Sequence, residues 1–240
     1  MTTKMRLLCA VLIGAVALAG CGNDSKKREI KTIKEQVQRA YGTKDFAKVL
    51  SLSQKGFTLA HEIVGDKSPD TLFFVQAISE GQLSQRNVRG AIAALKQELD
   101  LRAAAGQTES KLQPRRTLLI KLAEENGDTL TAGAQAVLVA KGIEMADGKD
   151  PQRVYYTETE YPRDQHAQRV EGDVEISYGL DATGAVTDAH ISKSMPPIVF
   201  DQAALESFRK WRFTPMLDRT GRPVSSSGFK FTVAFRMPPR

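Results

Sequence analysis

The side chains able to do chemistry are few and far apart in this 240-residue sequence. His61, His166 and His190 are too scattered to build a triad or a metal centre. Ser225-Ser226-Ser227 precedes an alternating apolar run but lacks the Gly-x-Ser-x-Gly frame of a nucleophile elbow. Glu158 and Glu160 flank Thr159 and could be taken for paired carboxylates, but on an extended segment they read as solvated charges. Gly172 and Gly179 each stand alone in a strand pattern, so no glycine-rich phosphate loop is present. Only two cysteines occur, Cys9 and Cys21, both near the N-terminus, which leaves neither a disulfide framework nor a Cys-based zinc site. No catalytic residue, metal or cofactor is therefore expected. The chemistry left over is that of Cys21, which sits where an apolar run ends.

That run is built like an export signal. Lys4 and Arg6 make a positive start, and Leu7 to Ala19 is uncharged and mostly apolar. As a helix it reaches roughly 20 Å at 1.5 Å per residue, too short for a hydrocarbon core of about 30 Å. It ends in Leu18-Ala19-Gly20-Cys21, which resembles the bacterial lipoprotein lipobox. The resemblance implies a signal peptide over 1–20 and a mature chain that starts at Cys21 with a thioether-linked diacylglycerol and an N-acyl chain. At about 0.8 kcal/mol per buried CH₂, two or three acyl chains anchor stably where one would not. In the enterobacterial lipoproteins that this segment resembles, an Asp after the cysteine marks inner-membrane retention, so by that resemblance Gly22 implies the outer membrane. Residues 21–28 then read as a short polar tether.

The positioning elements change character along the chain. Residues 29–148 are rich in Ala, Leu, Gln, Glu and Lys, with only Pro69 and Pro114 to break helices. Asp45-Phe46, Asn87-Val88 and Gly127-Asp128 each open an amphipathic run, a repeat of about 41–42 residues. Another candidate helix precedes each: Glu29 to Tyr41, Thr71 to Gln85 and Arg115 to Glu125. Paired helices at this spacing resemble tetratricopeptide repeats, which stack their apolar stripes and leave a concave face for a partner. The alternative is a non-repeating helical bundle. Phe73-Phe74 and Leu118-Leu119-Ile120 read as core, and His61-Glu62 as a surface pair.

Residues 149–160 form a linker, and 161–240 a small β-β-α-β unit. Val174, Ile176, Tyr178 and Leu180 alternate with Asp173, Glu175 and Ser177, a half-buried strand. Asp181-Ala182-Thr183-Gly184 makes the turn, and a phase slip after Val186 predicts a bulge in the next strand. Phe200 to Lys210 is an amphipathic helix with Asp201 as N-cap, and Arg209, Lys210 and Arg212 suit its negative end. In the last strand Phe229, Phe231, Val233 and Phe235 face inward and alternate with outward residues. The fold class is thus α+β. The net charge of +6 is spread with both signs interspersed and no block of five like charges, which argues against a nucleic-acid partner.

Tyr161-Pro162, Glu171-Gly172-Asp173-Val174, Phe200-Asp201-Gln202-Ala203-Ala204-Leu205, Lys210-Trp211-Arg212-Phe213-Thr214-Pro215 and Gly221-Arg222-Pro223 carry a further likeness. Together with the aromatic last strand they resemble the TonB C-terminal domain, over about 80 residues. The resemblance implies a periplasmic domain that grips a short "TonB box" peptide of an outer-membrane receptor by pairing it with the last strand. It maps the pairing edge onto Val224 to Phe235, with Val224, Ser226, Gly228, Lys230, Thr232 and Ala234 facing the partner. Trp211, Phe213, Pro215, Phe229 and Phe231 are then structural core. A free edge fits this physically, since unpaired N–H and C=O groups accept an added strand. The ten prolines are scattered rather than gathered into the long spacer of full-length TonB proteins, so peptide recognition is expected but force transduction is not. The chain reads as a lipid-anchored adaptor facing the periplasm and serving outer-membrane transport or envelope assembly. The alternative is a repeat scaffold whose C-terminal sheet only forms a homodimer.

Overall fold

The computed structural model describes residues 6–143 and 150–237, with side chains from residue 22 onward. Its contacts divide it into two compact units, Met1–Gln107 and Thr108–Arg240. The first holds four helices: α1 (Arg6–Gly42), α2 (Phe46–Val64), α3 (Pro69–Ser84) and α4 (Val88–Ala104). Each packs on the next in the chain. Ile30, Ile33, Val37 and Ala40 form the stripe at helical spacing that α1 buries with Val49, Ala60, Phe74 and Ala77. The contact is tight enough that a Cβ on Gly56 would fall 2.4 Å from the Phe74 ring. Residues 21–28, expected as a tether, instead continue α1, with exposed side chains over 22–28. Asp24 to Arg28 contains neither Gly nor Pro, and Lys26 reaches Glu62 on α2 at 3.0 Å. Among the described residues no helix is long and apolar enough to cross a membrane.

The second unit opens with a further helix pair, α5 (Glu109–Glu125) and α6 (Thr129–Gly142). Three of the five connections between these six helices, α1–α2, α3–α4 and α5–α6, repeat in detail. Residues 44, 86 and 127 all take positive φ, and Asp45, Asn87 and Asp128 each accept a hydrogen bond at the next helix's N-terminus, from Lys48, Gly90 and Thr131. Each cap residue's own N–H returns to a carbonyl five residues back, on Ala40, Gln82 or Ala123. The reversal is thus a left-handed residue followed by an N-cap, which closes one helix and opens the next.

The remainder of the second unit is built on a three-stranded antiparallel sheet, in the order Val186–Met195, Gly172–Leu180, Ser226–Phe235, with one helix on its face. In chain order the elements are β1 (Arg153–Tyr155), α7 (Arg163–Ala167), β2 (Gly172–Leu180), β3 (Val186–Met195), α8 (Asp201–Phe208), β4 (Arg212–Phe213), β5 (Met216–Leu217), β6 (Pro223–Val224) and β7 (Ser226–Phe235). Val174, Ile176, Tyr178 and Leu180 point from β2 into a core shared with Phe200, Ala204, Phe208, Trp211, Phe213, Val233 and Phe235. The bulge expected after Val186 is present at Asp188, at φ 50. Gly184 sits in its turn at φ +80, with the space for a Cβ taken by the Phe213 carbonyl oxygen 1.9 Å away.

Several expectations change. Phe200, not Asp201, is the N-cap of α8; Asp201 is the first helical residue, and one of its buried carboxylate oxygens lacks a partner. The helix stops at Phe208, short of Lys210. Arg212 does not serve the helix dipole. It is 4% exposed, in β4, where it donates to the Thr183 carbonyl at 2.9 Å and pairs with Glu124 of α5. That pair, with β1 packed on α5, groups the last two helices with the sheet, whereas the change of sequence pattern falls near residue 149.

Candidate functional site at the edge of the last strand

β7 is the end strand of its sheet, with β2 on one side only. The direction of its free groups follows from two side-chain contacts. Ser192 of β3 donates to the Glu175 carbonyl, so Glu175 turns its backbone toward β3. Arg236 donates to the Gly172 carbonyl, so Gly172 turns its backbone toward β7. Backbone groups alternate along a strand, and the β2–β7 register is unbroken from Gly172↔Phe235 to Tyr178↔Phe229. Gly172, Val174, Ile176 and Tyr178 therefore bond to Phe235, Val233, Phe231 and Phe229. The N–H and C=O groups of Lys230, Thr232 and Ala234 face outward. Their side chains are exposed as well, opposite the inward aromatic row.

The other end strand, β3, is a poorer template. Its register with β2 shifts twice, and Asp188 holds a left-handed backbone. β7 has one irregularity, at Gly228 (φ +88), which leaves Phe229 to Phe235 regular.

A groove of about 470 Å³ follows the free edge, from Phe231 to Arg236 on one wall to Arg153, Tyr156 to Thr159 and Tyr161 on the other. The second wall is a strap pinned to the domain away from β7. Gln152 and Thr214 exchange two hydrogen bonds, Thr214 N–H to the Gln152 carbonyl at 2.8 Å and Gln152 N–H to Thr214 Oγ1 at 2.9 Å. Trp211 Nε1 donates to the Thr157 carbonyl at 3.1 Å, and Thr159 and Ser207 share a hydroxyl bond at 2.7 Å. Tyr161 donates to the Val170 carbonyl. At one end of the groove the Arg153 guanidinium lies 4.2 Å from the Tyr156 ring centroid, 4.7 Å from Trp211 and 5.6 Å from Phe231.

The outward residues expected from the sequence fall into two groups. Lys230, Thr232 and Ala234 line up on the regular part of β7. Val224 lies in β6 and pairs with Met216, Ser226 is partly buried at the start of β7, and Gly228 is the bulge. Pro223 and the bulge divide what the sequence presents as one strand. Trp211, Phe213 and Pro215 are buried, while Phe229 and Phe231 pack on the core and remain partly exposed, Phe231 on the groove wall. The Cys21 side chain lies outside the described residues. Arg153 and Tyr156 were not foreseen; the signal was the short alternation Arg153-Val154-Tyr155-Tyr156 inside a stretch read as linker.

Two ionisable groups of the sheet are shifted by their surroundings. Hydrogen bonds from Ser192 and Lys230 hold the Glu175 carboxyl below the usual carboxylate range. Burial pushes the Tyr178 phenol up to about 12. The histidines serve separate local contacts: His61 stacks on Phe57, His166 meets Tyr161 edge-on, and His190 bonds the Asp188 carbonyl.

Residues 157–237 match the family model described as Gram-negative bacterial TonB protein C-terminal. Relatives include Protein TonB of Klebsiella aerogenes, 31% identical over 77 residues, or 32% of this chain and 29% of that one. Protein TonB of Klebsiella pneumoniae is 26% identical over 116 residues, 47% of this chain and 44% of that one. The chain thus spans less than half the length of these relatives. A solution structure of the Pseudomonas aeruginosa TonB C-terminal domain aligns at 24% identity and a TM-score of 0.33, covering 39% of this chain and 93% of that one.

Proposed function

We propose that this chain is a lipid-anchored envelope protein whose C-terminal sheet binds an extended peptide of an outer-membrane protein as a fourth strand. The observation that carries this reading is the outward backbone of Lys230, Thr232 and Ala234 along an open groove, inside the segment that matches the TonB C-terminal family. Main-chain bonds to these residues supply affinity, and the alternate side chains of the partner enter the groove and supply selection. Cys21, placed by its lipobox after an apolar run, carries the anchor. The helical repeats of the first unit offer a second surface, and the adaptor joins what they bind to what the sheet binds.

The test uses proline, which has no N–H to donate. Because the Thr232 N–H faces away from β2, Thr232→Pro removes an intermolecular bond and spares the β2–β7 ladder. Outer-membrane proteins retained by the full chain from detergent-solubilised envelopes should be lost with Thr232→Pro and kept with Thr232→Ala. Retention by a folded Thr232→Pro chain would refute strand addition at this edge. The anchor is tested separately: Cys21→Ser should leave an unprocessed precursor, and an unacylated N-terminal peptide in the wild type would contradict lipidation.

A further inference from the structure

The guanidinium at the mouth of the groove is placed unlike the other buried or paired arginines of this unit. Arg116 is held by Glu109 at 2.7 and 2.9 Å, Arg212 by Glu124 and Arg236 by Asp173 at 2.6 Å. Arg153 has no carboxylate within ion-pair reach among the described residues, and both it and Tyr156, 54% exposed, stand open to solvent. Its guanidinium carbon sits among three aromatic rings, two of them nearly perpendicular to Trp211, a cage that restrains the group without using its N–H donors. A charged group caged between Tyr156, Trp211 and Phe231 is restrained before a partner arrives and loses less freedom on binding one.

The register says where such a partner must come from. On a strand added to β7, the residue opposite Phe231 turns its side chain to the same face as Phe231, the face over which Arg153 lies. Residues opposite Lys230 and Thr232 turn to the other face, where Lys230 is engaged by Glu175 at 2.9 Å. Arg236, at the far end of the groove, is engaged by Asp173. Arg153 is left as the free cation on the groove wall among the described residues.

We infer that Arg153, held on the rings of Tyr156, Trp211 and Phe231, is a specificity-determining residue that takes an Asp or Glu side chain of the bound strand at the position facing Phe231. This rests on the strand-addition reading and adds the chemical class of the partner, an acidic extended peptide. A forked guanidinium–carboxylate contact discriminates acid from amide, because the amide would present an N–H₂ to a group that only donates.

The full chain is used to select from an unbiased phage-displayed heptapeptide library, and enriched peptides are synthesised. Enriched peptides should carry Asp or Glu at one fixed position of an alternating frame. Changing that acid to its amide should weaken binding to the wild type about ten-fold. It should change binding to Arg153→Gln less than two-fold, and Arg153→Lys, which keeps the charge but loses the fork, should fall between. If enriched peptides show no acidic position, or Arg153→Gln keeps the preference, while Thr232→Pro abolishes binding, the carboxylate site is wrong and the strand edge stands. If no peptide is enriched, or binding is indifferent to Thr232→Pro, both are wrong.

Discussion

Two buried polar groups set the sensitivity of the second unit at the scale of the residue. Arg212 is almost wholly enclosed and is satisfied by Glu124 and Thr183. Removing one partner of a buried pair leaves the other charge without compensation, which costs far more than the pair itself contributes. Arg212→Met should therefore destabilise the chain by roughly 3–5 kcal/mol in urea unfolding, and adding Glu124→Leu should recover a large part of that loss. No recovery would show that Arg212 acts through Thr183 alone. Tyr178 gives a second signature at this scale. Its folded pKa of about 12 lies above the unfolded value near 10, so the unfolded chain gives up the phenolic proton first as pH rises. Its contribution is complete below pH 10 and is lost between 10 and about 12, amounting to roughly 2–3 kcal/mol at the upper end. Tyr178→Phe should flatten that part of the stability–pH curve; an unchanged slope would mean the phenol ionises in the folded state as it does in water. The inward place of Tyr178 was legible in the alternation of its strand, whereas that of Arg212 was not. Arg212 follows a helix whose end it was expected to serve, and its partner lies 88 residues earlier.

Elements were legible wherever one local rule sufficed. The 41–42-residue period reappears as three turns with the same hydrogen bonds because a left-handed residue and an N-cap are chosen by chemistry within four residues. Asn87→Ala should cost about 1 kcal/mol, and Asn87→Asp should be nearly neutral, by thermal unfolding. Equal losses from both would mean the Gly90 contact is incidental. The bulge at Asp188 and the turn at Gly184 were legible for the same reason. The strap, β1, α7 and the short β4, β5 and β6 were not. Segments of two to five residues have too little periodicity to register, and contacts such as Gln152–Thr214 that hold them are set by the fold. The expected last strand from Val224 was likewise interrupted, since Pro223 and Gly228 bend the chain where alternation alone reads straight through.

For the whole molecule the sequence separated an all-α part from a β-rich part, and the structure moves the division to Gln107 because α5 is tied to the sheet by Glu124 and β1. The site spans both kinds of information. Lys230, Thr232 and Ala234 follow from alternation in β7, while the groove wall with Arg153 depends on a strap folded back along the sheet. A free, regular strand edge is suited to capturing an extended segment of another protein by its backbone. The decisive measurement is residue-resolved amide exchange by NMR on the full chain, with and without a peptide recovered from the library selection. The Lys230, Thr232 and Ala234 amides should exchange quickly in the free protein and slow at least ten-fold with peptide, while those of Phe229, Phe231 and Val233, already bonded to β2, should change little. Protection that appears on β3 or on the helical repeats, with none at these three amides, would contradict strand addition at β7.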